Sequence, residues 1–155
     1  PGRRVGKTAA YKKTFNPPVP VGQSGKRDQR SAEMKVVYEL EYDEEKKIIT
    51  GRITGELNRA VAAAMASLLA ELSLRHGCFR LLNDLREADL IPSVLDIYMI
   101  PREVEKAGIL KTFKRALLVR PPLDDFRFLE TVSFNEGHRL RVFRDPEEAL
   151  QWLLE

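Results

Sequence analysis

The chain has little of what surface chemistry usually requires. Its 155 residues include one cysteine, two histidines and one tryptophan. The lone thiol, Cys78, excludes an intrachain disulfide and suits a reducing compartment, so a cytoplasmic protein is expected. No Cys/His/Asp cluster stands at ligand spacing, whereas a metal centre commonly takes three or four protein ligands. No apolar run approaches the ~20 residues of a membrane span, and no secretory-type apolar stretch stands near the start. Cys78 opens an apolar strand with no activating base beside it, so a buried, inert thiol is expected.

What is present fits one domain with an appendage. A hydrophobic content of 43% is enough for a single core. The formal charge of +3 is unevenly spread. Residues 1–33 carry eight Lys/Arg against two Asp/Glu, net +6, and the remainder is net −3. The basic character therefore belongs to the first 33 residues, which lack any period of 2 or 3.6 and carry Pro17-Pro18-Val19-Pro20 and Gly22-Gln23-Ser24-Gly25. They read as a basic, flexible tail, with the domain at 34–155 and Met34 as an alternative start. Gly2-Arg3-Arg4-Val5-Gly6-Lys7-Thr8 imitates a phosphate loop but has three residues between its glycines where four are required, and no strand before it. No aromatic or groove-reading pattern accompanies the tail's charge, so nucleic acid is not the expected partner.

From residue 36 the periodicity is regular. Val36, Tyr38, Leu40 and Tyr42 alternate with polar neighbours, and residues 48–54 return as the second arm of a hairpin. Leu57, Val61, Met65, Leu68 and Leu72 form one helical stripe from about Glu56 to His76, stopped by Gly77. Strands then alternate with helices: 79–84, 115–119 and 140–143 against 93–107, 123–136 and a last helix opened by Asp145-Pro146. Leu118 lies mid-strand in a run too apolar to face water. Pro101 predicts a kink or a fresh start inside the second helix. The order is ββαβαβαβα, an α/β fold with an antiparallel first hairpin, parallel strands after it, and helices covering the sheet.

One segment stands apart. Asn83-Asp84-Leu85-Arg86 closes the third strand, and Ile91-Pro92-Ser93-Val94-Leu95-Asp96 opens the second helix. With the element order, these residues resemble the STAS superfamily, the sulphate-transporter and anti-sigma-factor-antagonist domains. The resemblance is to the sporulation anti-anti-sigma-like branch, whose fold is also compared with lipid-binding CRAL-TRIO domains. It covers roughly 34–155 and is specific mainly across 80–101. It implies a non-enzymatic regulatory module that binds a protein partner through the second helix and the loop before it. In phosphorylated members a serine opening that helix is modified. Asp84 matches their strand-end aspartate and Ser93 the regulated serine, while Pro92, Val94 and Leu95 depart from the Asp-Ser-Ser/Thr-Gly-Leu pattern.

The residues also have plainer readings. Ser93-Val94-Leu95-Asp96 is a Ser-x-x-Asp capping box, which alone explains a serine there. Arg86 belongs with Asp84 at the strand end, and Tyr98 and Met99 make the second helix apolar around much of its circumference, as a partner-facing or self-associating surface would be. Arg120 and Arg144 follow strand ends, where open α/β sheets meet ligands, and mark the alternative: a carrier or sensor of a nucleotide, anion or lipid at that rim. His76 and His138 adjoin glycines that end helices and read as capping or solvated groups. A catalytic triad would have to draw on Asp84 or Asp89 with His138. No catalytic residue, metal or cofactor is expected.

Overall fold

The computed structural model describes residues 8–15, 36–91 and 93–155. The glycine-lysine run at 2–7, the prolines at 17, 18 and 20, the segment 22–25, Met34 and Pro92 lie outside the described residues. The described elements are β1 (Thr8–Phe15), β2 (Val36–Asp43), β3 (Ile48–Leu57), α1 (Arg59–His76), β4 (Arg80–Asp84), β5 (Ala88–Leu90), α2 (Val94–Lys106), β6 (Lys114–Leu118), α3 (Asp124–Asn135), β7 (Arg139–Phe143) and α4 (Pro146–Leu154). The sheet runs β1-β2-β3-β4-β6-β7, with β5 paired to β3. β2 and β3 are antiparallel, and β3, β4, β6 and β7 run parallel, as the element order predicts.

Two strands were not legible in the residue pattern. Thr8–Phe15 lies in the segment expected to be flexible, and the structure corrects that expectation for these eight residues. β1 pairs antiparallel with β2 along its length, from Thr8 opposite Asp43 to Phe15 opposite Val36. An edge strand is held by backbone hydrogen bonds and needs no apolar alternation. The second is β5, which pairs in parallel with Gly55–Leu57. β3 thus changes partner along its length, from β4 at Ile49–Arg52 to β5 after Gly55. Gly55 makes the change at φ 113°, a conformation that a side chain resists. The extension of β3 to Leu57 moves the start of α1 beyond Glu56, where Asn58 Oδ1 accepts the Val61 amide at 2.9 Å as its cap.

The sheet has two unequal faces. On one, α1, α2 and α3 bury Ile49, Ile53, Leu81, Leu117, Leu140 and Val142 against Val61, Met65, Leu69, Ile97, Val104, Phe126 and Leu129. Gly51 permits that approach, since a Cβ there would meet the Met65 methyl at 2.7 Å. On the other, α4 covers only part of the sheet, with Leu82, Ala116 and Leu118 under Ala149 and Leu153. Leu118 is fully buried, as its strand position predicts.

α2 decides between the continuous and the restarted helix that Pro101 left open. It is a single helix with Pro101 inside it, so no fresh start occurs. Pro101 is buried and lines the same cavity as Val104 and Leu129, and its burial offsets the backbone bond that proline cannot donate.

The core residues described from Val36 onward draw on β2, β3, β4, β6 and β7 of the sheet and on α1, α2, α3 and α4. Deleting residues 1–33 should therefore leave a cooperative unfolding transition. Loss of the β1 ladder should lower the melting temperature by only about 2–8 °C, the shift expected for 1–2 kcal/mol. Loss of cooperativity in calorimetry would place essential core in the deleted segment.

Candidate functional site

Asp84 ends β4 opposite Arg52 of β3, at the C-terminal rim of the parallel strands. Its carboxylate is buried yet fully engaged. Oδ2 accepts from Arg86 Nη2 at 2.8 Å and from Arg52 Nε at 3.2 Å. Oδ1 accepts from Arg86 Nε at 3.0 Å and from the Arg86 amide at 3.2 Å. Arg52 also lies 3.9 Å from Glu39 on β2, so a line of alternating charge crosses the polar part of the face that α4 leaves open. Burial pushes the Asp84 carboxyl up, but the hydrogen bonds and charge of Arg86, with Arg52 behind it, hold it below the ordinary carboxylate range.

The loop after Asp84 is tied down at each turn. The Leu85 amide donates to Leu118 O at 2.8 Å and the Gly55 amide to Glu87 O at 3.2 Å. The Ile91 amide donates to Leu57 O at 3.0 Å. Arg120 reaches across to Asp89 at 2.7 Å, an exposed pair that adds little energy but occupies that arginine. Ser93 then caps α2: its carbonyl accepts the Ile97 amide at 2.9 Å, and its Oγ accepts the Asp96 amide at 3.5 Å. Ser93 itself is exposed.

The residues that this scaffold presents are apolar. Ile91, Val94, Leu95 and Tyr98 are 44%, 73%, 68% and 46% exposed, while Ile97, Ile100 and Val104 are buried. Leu95, Tyr98 and Arg102 form one row at helical spacing, on the side opposite the packed stripe. Arg102 lies 5.9 Å from the Tyr98 ring centre and 3.6 Å from Glu136. Met99 is only half-buried and belongs to neither row. Ile91, Val94 and Leu95 were not singled out in the sequence, although a row of apolar residues opposite a complete apolar stripe is a readable sign.

The other candidates disperse. Arg144 is exposed and makes no hydrogen bond or ion pair among the described residues, and Arg120 is held by Asp89. The triad candidates do not meet: Asp84 binds arginines and Asp89 binds Arg120. His138 is buried, not solvated, with Nε2 3.5 Å from Glu105 Oε2. Its backbone turn after Gly137 draws it inward, where its amide donates to Ser133 O at 2.9 Å. His76 stacks on Tyr42 at 4.1 Å between ring centres. The Cys78 thiol is buried and donates to Lys47 O at 3.0 Å, and burial pushes its pKa up. Among the described residues no three His, Cys, Asp or Glu side chains gather as metal ligands, and no helix is long and apolar enough to cross a membrane.

A mixed sheet led by an antiparallel hairpin, with parallel strands after it and helices covering it, is an α/β domain of STAS-like fold. Among solved structures it is similar to an anti-sigma factor antagonist from Mycobacterium paratuberculosis, with a TM-score of 0.52 and 16% identity over 77% of this chain and 95% of that one. At that identity the likeness establishes the fold. No family model matches the sequence, and no curated protein matches it.

Because the folded pKa of Asp84 is lowered, its contribution to stability is complete above the unfolded value near pH ~4 and is lost as pH falls through the folded value. Asp84→Asn should cost about 1.5–3 kcal/mol at neutral pH, the range for hydrogen bonds to a charged group. The gap from wild type should close in acid. A pH-independent gap in denaturant titrations would contradict this account of the carboxylate.

Proposed function

We propose that the chain is a non-enzymatic regulatory module, working in the cytoplasm, that docks a protein partner on the first turns of α2 and the loop before it. The carrying observation is the exposed row of Ile91, Val94, Leu95 and Tyr98 on a helix start that backbone hydrogen bonds and the Asp84 cluster hold in place. Rigid apolar anchors of this kind lose little entropy on binding and can supply most of an interface's energy. Their rim is built of ion pairs, Arg102 with Glu136 and Arg120 with Asp89, which favours a partner with an apolar centre and a polar surround. The similar solved structure is of an anti-sigma factor antagonist, which supports a regulatory reading.

Ser93 sits at the margin of this surface with an exposed side chain at a helix N-terminus, where added negative charge is tolerated by the fold. Charge at that point would alter a neighbouring apolar interface without melting α2. The rim carrier is less well supported. Arg120 is already paired with Asp89, which leaves it less available to hold an anion at the rim.

Affinity capture from native lysate, followed by binding measurements on the purified partner, tests the docking surface. Leu95→Glu should leave stability within about 0.5 kcal/mol, as exposed substitutions do, and weaken binding by roughly tenfold or more. Ser93→Ala should lose ~1 kcal/mol of stability and Ser93→Asp should not, because aspartate also caps. A partner bound equally by wild type and Leu95→Glu would place the interface elsewhere.

A further inference from the structure

Arg115 is the second residue of β6, between Leu81 of β4 and Leu140 of β7, on the face packed by α1, α2 and α3. It is only 6% exposed. Its Nη2 is fully buried without a hydrogen-bond partner, and no carboxylate among the described residues pairs with it. Burial alone pushes its pKa down to about 10, so it remains charged at neutral pH. An uncompensated charge in an apolar interior is among the costliest arrangements a protein can hold.

The surroundings say what would relieve it. Arg115 lines the cavity of about 60 Å³ together with Asn83, Ser133, Met65, Leu117 and Leu129. The Ser133 hydroxyl is buried and has no partner either. His138 is near enough to feel the guanidinium: burial first, then the charge of Arg115, lowers its pKa, so the imidazole is neutral at neutral pH. The cavity therefore offers a planar fork of donors and a spare hydroxyl, with no negative charge to meet them. At about 60 Å³ it has room for a few waters or for an ion of formate or acetate size.

We infer that this cavity binds a small monovalent oxyanion of the carboxylate class, held by the Arg115 guanidinium with the Ser133 hydroxyl as second donor. The site lies inside the domain, away from the exposed start of α2, and stands or falls independently of the docking surface.

The test is thermal unfolding of the full chain at neutral pH and constant ionic strength, with sodium formate replacing sodium gluconate, whose anion is too large for the cavity. The wild-type melting temperature should rise along a saturating curve, by about 3–6 °C at ten times the half-saturating concentration. Arg115→Met should show no formate-dependent rise, and in gluconate alone it should melt at or above the wild-type temperature. Ser133→Ala should bind formate several-fold more weakly while retaining the saturating form, and it decides the matter if Arg115→Met does not fold. A wild type indifferent to formate, or a rise that is linear or shared by Arg115→Met, would overturn the assignment and leave the cavity to water.

Discussion

One buried carboxylate organises the functional end of this domain. Asp84 closes the central strand and accepts four hydrogen bonds from two arginines, one on the neighbouring strand and one two residues ahead in the chain. The contact with Arg52 ties the end of β4 to the middle of β3, where β3 leaves β4 for β5. The contacts with Arg86 turn the backbone out of the sheet at once. Only because the chain turns there can Ala88–Leu90 come back to pair with the last residues of β3. That pairing in turn fixes where Ser93 begins α2.

The unequal faces of the sheet explain why such a cluster is tolerated. α4 covers only part of its side, so Asp84 and Arg52 meet at the margin of a polar surface where Arg86 and Arg52 remain half in water. The arginines keep much of their hydration, and the carboxylate gains full hydrogen bonding. Arg115 has the reverse circumstances. It lies on the face closed by three helices, where it lines a cavity and has no acid paired with it among the described residues. Two arginine sites of one sheet thus differ by which face they occupy.

The sequence carried most of the architecture because periodicity reports burial. The stripes of β2, α1 and α2, the apolar run Ala116-Leu117-Leu118 of β6 and the Asp145-Pro146 start of α4 each follow from the burial that the covered sheet requires. β1 and β5 escaped because both are held by main-chain pairing, which leaves no mark on side-chain pattern. The site was half legible. Asp84, Arg86 and Ser93 were singled out, but Arg52 was hidden because only parallel register places it beside Asp84. Arg115 reads in sequence as an ordinary strand-start charge, and only three helices closing over it make it remarkable in energy. The exposure of Leu95 became clear once the opposite stripe of α2 was seen to be complete.

Backbone hydrogen exchange across residues 84–98 tests the central claim most directly, since that claim is a rigid loop delivering a free helix face. The amides of Leu85, Arg86, Ala88 and Ile91 each have an acceptor and should exchange nearly as slowly as those of β4. Those of Val94 and Leu95, in the first turn of α2, should exchange fast. Rapid exchange throughout 85–91 would mean that the loop is loose, and the account of a preorganised docking surface would fail.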